Sequence, residues 1–520
     1  MRAVPCSRSR AVSKHPAPSV ARAAALALFG AGLVTALCLT QRISVVDDAY
    51  ISYRYVLNLV DAHQLVFNLG ERVEGATNLL WILILAIATV LTGLKPAMLA
   101  VALSLLLYGY AVGCVAHLGK QLTGSLAAGI CASATVFLNA DVFLTATNGL
   151  ESALYMALLA EAFACLAAGR GLALGVVLGL LFATRPEGAA IGIALIGMQA
   201  LIRGLRPTAL RSGTPWLAIV AAVTLARLVY FGSWIPNSVV AKSYPLDLLP
   251  LVLSQHSWPY LRGFLVHDPV LTLIGAAMMV GTVWVLLGRC MTPSATAGSV
   301  APLVLPCATL VVLIAVVVAT RNGGDWMEHW RLLTQYAPAF GVGLAALAQR
   351  LPRGEAIPAL TLAGSLAMLP MKDCCGVKAD IVPPGEFFAE AARRLTPIVR
   401  PGDVVSAEAA GLLPYRLIQT RIHDPTGLLD PFIARHGRPA VPYGKTDIDY
   451  TFGTVRPEFM VWHWAGHVQA ASPALRAAYR GLCYRFCEDR LGAMVVLVRS
   501  DRLDDAVSQA FAGWADWPLD

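Results

Sequence analysis

The sequence predicts a mainly helical, multi-pass membrane fold of about eleven spans, followed by a soluble α/β domain. Three observations carry this. The chain is 57% hydrophobic and only 14% charged, where soluble chains carry about a quarter charged residues. Apolar segments able to enter a bilayer recur through residues 1–371. Residues 372–520 change character: they contain Asp, Glu, His and Pro and alternate strand-like with helical runs.

Taken in order, Arg2, Arg8, Arg10, Lys14 and Arg22 precede an apolar run ending at Thr40, with no persuasive small-x-small cleavage site before Asp47. This reads as an uncleaved signal anchor with its N-terminus in the cytoplasm. The predicted spans are 20–40, 97–118, 125–146, 151–168, 171–184, 187–203, 214–231, 269–288, 301–320, 336–350 and 355–371. A further apolar run, 79–92, is short and is read as interfacial or re-entrant. Charge supports that choice. With eleven spans the cytoplasmic loops hold Lys120, Arg170, Arg203, Arg206, Arg211, Arg289, Arg350 and Arg353, as the positive-inside rule requires. Counting 79–92 as a span would put most of these charges outside.

The net charge of +8 is explained by bilayer orientation, and nothing supports a nucleic-acid partner. Under this topology the loops 47–78, 147–152, 184–188, 233–242 and 321–331 all face the other side, together with the soluble domain. One polar face suits a membrane enzyme with one external site. A flippase or transporter is the competing reading, but it calls for inverted repeats, and none stands out. In the soluble domain, 403–407 and 494–498 read as strands, and 384–395 and 473–479 as helices. Of eleven cysteines, Cys6, Cys38, Cys114, Cys131, Cys165, Cys290 and Cys307 read as apolar fillers. Cys374, Cys375, Cys483 and Cys487 are expected to form one or two disulfides tying the start of the soluble domain to its end.

Asp47 and Asp48 stand about seven residues beyond the first apolar segment. A helix cap explains one carboxylate but not two. Adjacent carboxylates repel, so one holds its proton more tightly, which suits a base or a metal ligand. Tyr50, Tyr53 and Arg54 follow at helical spacing, and tyrosine suits sugar stacking and hydrogen bonding. Glu74 and Asn78 belong to a polar loop with Gly70 and Gly75. Glu151 opens a span and is equally explained by the helix dipole. Arg185 and Glu187 flank a proline between apolar segments, where charges are costly and usually paired or functional. Asn237 and Lys242 follow Trp234-Ile-Pro, and Lys242 runs against the positive-inside trend. Asp325, His329 and Arg331 crowd the 321–331 loop; one acid and one His do not complete a metal shell, so phosphate anchoring by His329 or Arg331 is favoured. A metal stays unassigned and a divalent cation stays open.

The runs D-D-A-Y-I-S-Y-R-Y, F-N-L-G-E-R-V-E-G-A-T-N, T-N-G-L-E-S, T-R-P-E-G, P-N-S-V-V-A-K and G-G-D-W-M-x-x-x-R-L-L occur in this order. With them the chain resembles the polytopic glycosyltransferases of the GT-C class, and within it the terminal β-1,2-arabinofuranosyltransferases of mycobacterial cell walls and their bacterial relatives. The resemblance covers nearly all of the membrane part and extends to Gly411-Leu-Leu-Pro-Tyr415 and His423-Asp-Pro-Thr-Gly-Leu428. It implies a bacterial plasma-membrane enzyme with an extracytoplasmic active site and an inverting reaction. The donor would be a polyprenyl-phosphate-linked sugar and the acceptor a cell-envelope glycan or glycoconjugate. Asp47 or Asp48 would be the general base.

Overall fold

The computed structural model describes residues 20–287, 303–351, 354–374, 384–441, 443–463, 466–469, 471–488 and 492–519. Most of the basic N-terminal run, Cys6, Arg289, Cys290, Arg353 and Cys375 lie outside these residues.

Helix α1 (Val20–Thr40) is followed by α2 (Ala49–Ala62), α3 (Leu79–Thr92) and the long α4 (Pro96–Thr123). Next come α5 (Leu126–Phe137), α6 (Ala140–Thr147), α7 (Ser152–Ala167), α8 (Gly171–Thr184) and α9 (Gly188–Arg203). A π-helical turn joins α10 (Leu205–Thr208) to α11 (Thr214–Phe231). Short α12 (Asn237–Ala241) and α13 (Leu249–Val252) precede α14 (Trp258–His267), α15 (Pro269–Leu286) and α16 (Val304–Arg321). Then come α17 (Arg331–Thr334), α18 (Ala337–Ala348) and α19 (Ile357–Cys374).

A helix therefore stands at each predicted span, but length does not establish the count of eleven. Among the described residues four helices are long and apolar enough to cross a membrane: Pro96–Thr123, Leu205–Phe231, Pro269–Leu286 and Val304–Arg321. The bent pair α5–α6 makes a fifth if it is one span. The other apolar helices run 10–17 residues, and at 1.5 Å per residue a 14-residue helix covers about 21 Å of a hydrocarbon core about 30 Å thick. The predicted span 125–146 is two helices at 70°. Asn139 explains the break: its side chain accepts from the Asp141 N–H at 2.9 Å and starts a new helix.

Small residues let the helices close. A Cβ on Gly129 of α5 would lie 2.3 Å from the Ala116 carbonyl oxygen and 2.6 Å from the Lys120 nitrogen of α4. Close backbone approach of this kind supplies the packing that apolar burial cannot supply in lipid. α7 runs away from Glu151, turns at Gly169–Arg170, and α8 returns to Arg185. Because Arg185 Nη1 lies 2.6 Å from Glu151 Oε1, the start of α7 and the end of α8 share one level. The Arg170 turn is left at the opposite end, as the alternation of polar and basic loops anticipates.

After α20 (Pro384–Leu395) come all the strands among the described residues. These are β1 (Val404–Ala407), β2 (Arg421–His423), β3 (Arg438–Ala440), β4 (Gly444–Thr446), β5 (Phe459–Trp462), β6 (Tyr479–Arg485), β7 (Met494–Arg499) and β8 (Ala515–Trp517). Helix α21 (Leu412–Arg416) lies between β1 and β2, and α22 (Pro431–His436) between β2 and β3. Six strands form one sheet in the order β2-β1-β5-β7-β6-β8, with β3 and β4 as a separate hairpin. β1 pairs in parallel with β2 (Val405 beside Ile422) and with β5 (Val405 beside Phe459); the remaining ladders are antiparallel.

Cys483 and Cys487 are bonded to each other, their Cα atoms 5.7 Å apart at the end of β6. This corrects the expectation that both would tie the domain's end to its start: the turn after the strand brings them together first.

Gly129→Leu is expected to wedge α4 from α5 and to lower the thermal midpoint of the purified protein, overpacking costing about 1–3 kcal/mol. An unchanged melting curve would contradict the close approach.

Candidate active site

The two adjacent aspartates part company in the fold. Neither side chain caps α2: Asp48 occupies the N-cap position without a capping hydrogen bond. Asp47 turns to the C-terminal strand-containing domain, where Oδ2 accepts from the Gly411 N–H at 3.0 Å and Oδ1 from the Leu412 N–H at 2.9 Å. Asp48 turns the other way and lines a cavity of about 340 Å³.

That cavity is built by seven stretches of chain. Asp48 and Ser52 come from the start of α2, Gly75–Asn78 from the following loop, and Glu151 from the start of α7. Arg185 and Glu187 come from the α8–α9 turn, Ser238, Lys242 and Ser243 from α12 and its end. Arg321, Asp325 and Arg331 come from the end of α16 and the α16–α17 loop, and Leu428 of the C-terminal domain also lines the space.

Most of the lining charge is paired. Arg185 donates to Glu151 at 2.6 Å and through Nε to Glu187 at 2.5 Å. Asn78 Nδ2 donates to the second Glu151 oxygen at 2.7 Å, and Asn78 exchanges hydrogen bonds with Ser52. Arg331 Nε donates to Asp325 at 2.8 Å, and Arg321 Nη2 to the Tyr244 carbonyl at 2.6 Å. The exceptions are opposite in sign: among the described residues the side chains of Asp48 and Lys242 make no hydrogen bond or ion pair, and both face the cavity. The terminal nitrogens of Arg331 carry no bond among the described residues either.

The carboxylates are electrostatically unequal. Burial pushes the Asp48 pKa up, against the pull of Lys242 and Arg331, with Asp325 and Glu151 adding to the rise. Burial also opposes ionisation of Asp325, but Arg331 and Lys242 outweigh it and hold its pKa below the usual range. Asp325 is thus a fixed anion, whereas Asp48 can exchange a proton nearer neutrality. Asp47 is pushed up to about 6, mainly by burial, with the Asp48 charge adding and the Leu412 and Gly411 N–H groups opposing.

Of the residues singled out in sequence, Asp48, Asn78, Glu151, Arg185, Glu187, Lys242, Asp325 and Arg331 meet at this cavity. The others do not line it. Buried Tyr53 donates to the Gly149 carbonyl at 3.0 Å. Tyr50 packs its ring 5.2 Å from that of Tyr415. Buried Arg54 donates to the carbonyls of Phe67, Pro414, Leu417 and Thr420, which leaves its charge no access to a ligand. Glu74 is held by Arg227 of α11 at 2.9 Å. Asn237 donates to the carbonyls of Gly427 at 2.9 Å and Leu428 at 3.0 Å, tying α12 to the C-terminal domain. His329 bonds Asp141 at 2.8 Å, on whose other oxygen His267 sits at 3.1 Å. Among the described residues no three His, Cys, Asp or Glu side chains converge as a metal site.

Sequence reasoning passed over Ser52, Arg321 and Leu428. Ser52 had a signal, since it lies four residues after Asp48 on one helix face. Arg321 closes α16, where a basic residue is also explained by the helix dipole. Leu428 ends the His423–Leu428 motif, but nothing in that motif places it beside Asp48, because it arrives from a different part of the chain.

No family model and no curated protein matches the chain. Among solved structures, ArnT from Cupriavidus metallidurans in the apo state matches at a TM-score of 0.38 and 13% identity, over 94% of this chain and 99% of that one. ArnT from the same organism bound to undecaprenyl phosphate matches at a TM-score of 0.38 and 13% identity, over 93% and 99%. Superposition this loose transfers neither residues nor activity.

The pairing pattern separates two cations. Arg185→Met strands Glu151 and Glu187 in a buried site and is expected to destabilise by about 3–5 kcal/mol. Lys242→Met breaks no bond and is expected to leave the thermal midpoint nearly unchanged. Equal melting shifts for the two variants would contradict this assignment.

Proposed function

We propose that this chain is a membrane glycosyltransferase that moves a sugar from a polyprenyl-phosphate donor to a cell-envelope glycan or glycoconjugate acceptor, with inversion. Arabinofuranose is the sugar favoured by the sequence resemblance, and the site is read as extracytoplasmic. The observation that carries the reading is an unbonded carboxylate, Asp48, sharing one cavity with an unbonded ammonium, Lys242, and the free end of Arg331.

A single displacement uses this arrangement. Asp48 takes the proton of the acceptor hydroxyl as that oxygen attacks the anomeric carbon. The bond from that carbon to the phosphate oxygen breaks on the opposite face, and the lipid phosphate departs as a dianion. Lys242, Arg331 and the remaining Arg185 nitrogen meet the added charge; both arginines are buried, where such contacts count most. Asp325 holds Arg331 and Glu151 holds Arg185, so these cations are oriented before the substrate arrives. Tyr50, Tyr53, Arg54, Glu74, Asn237 and His329 are assigned to holding the surrounding loops.

Asp48→Asn is expected to lower transfer from radiolabelled polyprenyl-phosphate arabinofuranose to an arabinan acceptor by about 10²–10⁴-fold, with undecaprenyl phosphate still bound. Normal transfer by this variant would remove the base from the scheme. Because Asp48 acts ionised and its pKa is raised, kcat is expected to fall with decreasing pH at values above the ordinary carboxylate range of about 3.9. Lys242→Met removes the main opposing influence and is expected to move that acid limb to higher pH. A limb that stays in place would contradict the coupling.

A further inference from the structure

Asp47 is the one carboxylate of the adjacent pair that the displacement leaves unused. Its surroundings are specific. Both oxygens are occupied by consecutive backbone N–H groups, those of Gly411 and Leu412. These donors belong to the loop that leaves β1 and opens α21. The approach leaves no space: a Cβ on Gly411 would lie 1.9 Å from the Asp47 carbonyl oxygen and 2.3 Å from Oδ2. Seven residues further on, about two helical turns, Arg54 of α2 grips the far end of the same element through the carbonyls of Pro414, Leu417 and Thr420. Between these two clamps Tyr415 packs on Tyr50 and Tyr53. The start of α2 is thus fastened along α21, and the next residue is Asp48.

We propose that Asp47 is a positioning residue: through the Gly411–Leu412 turn the soluble domain holds the first turn of α2 so that Asp48 faces the cavity. The soluble domain is then part of the active-site machinery. A ligand or partner that shifts α21 would act on the base without touching the cavity. The statement about catalysis rests on the proposed transferase reading; the statement about the clamp does not.

The test uses full-length protein in lipid nanodiscs and the variants Asp47→Ala, Asp47→Asn and Gly411→Ala. Amide hydrogen exchange across residues 47–52 is expected to rise at least tenfold in Asp47→Ala and Gly411→Ala. The rise should be smaller in Asp47→Asn, which keeps one acceptor. If the alanine variants elute as aggregates, Asp47→Asn decides the same point. Unchanged exchange in every folded variant overturns the clamp whatever the enzyme does. In the transfer assay kcat is expected to fall 10–100-fold with affinity for undecaprenyl phosphate within twofold of the parent, because Lys242 and Arg331 are untouched. A parallel loss of kcat and lipid affinity would mark a merely structural role and overturn the positioning assignment, as would unchanged kcat despite faster exchange. A parent protein that transfers no sugar from any polyprenyl-phosphate donor would sink the transferase reading, while the exchange data would still decide the clamp.

Discussion

The Glu151–Arg185–Glu187 cluster is the constraint on which the site depends. Taking three charges into a protein interior costs several kcal/mol per ion unless the partners are close and well bonded. Here the N–O distances are 2.6 and 2.5 Å, and Asn78 occupies the remaining Glu151 oxygen. This arrangement exists only if the start of α7, the α8–α9 turn and the end of the first polar loop meet at one level. The cluster therefore sets the register of three helices and forms one wall of the cavity. Asn78 carries the constraint to Ser52, and so to the first turn of α2 where Asp48 stands.

The helical part was legible because apolar segments and the bends between them are written in local composition. Each predicted span has its helix, and the 79–92 run is helical as well. What local composition could not supply was length against the bilayer. It also missed the break at Asn139, because a single polar residue inside an apolar run reads as tolerable until its side chain is seen capping. In the C-terminal domain β1, β7 and α20 fall where alternation and periodicity placed them. The disulfide did not follow, since pairing depends on which cysteine the turn after β6 brings near.

At the site, type and position of charge were legible while partners were not. Arg185, Glu187, Asp325 and Arg331 could be marked as costly near a membrane, and they meet in one cavity. Arg54, Glu74 and His329 carry the same chemical signal yet spend it on Pro414 and Leu417 carbonyls, on Arg227 and on Asp141. Nothing in the order of residues separates a charge that closes on the protein from one left open. Asp47 and Asp48 make the point most sharply. They are adjacent and chemically identical, and only the arrival of Gly411 from more than three hundred residues away distinguishes them.

The sheet explains why that distant segment arrives there. β2, β1 and β5 are parallel, so their carboxyl ends open on one edge, the usual place for function in sheets of this kind. The loop after β1 brings Gly411 to Asp47. The loop after β2 brings Leu428 over the cavity, fixed by Asn237. After β5 comes His463, 3.2 Å from Glu408 and close enough to Asp47 to favour its ionised form. Leu428 adds an apolar side chain to a lining that is otherwise rich in charge. Three parallel strand ends thus do what no single membrane helix could do. They help to line an ionic cavity, occupy both oxygens of Asp47 and leave Asp48, Lys242 and the far end of Arg331 unbonded.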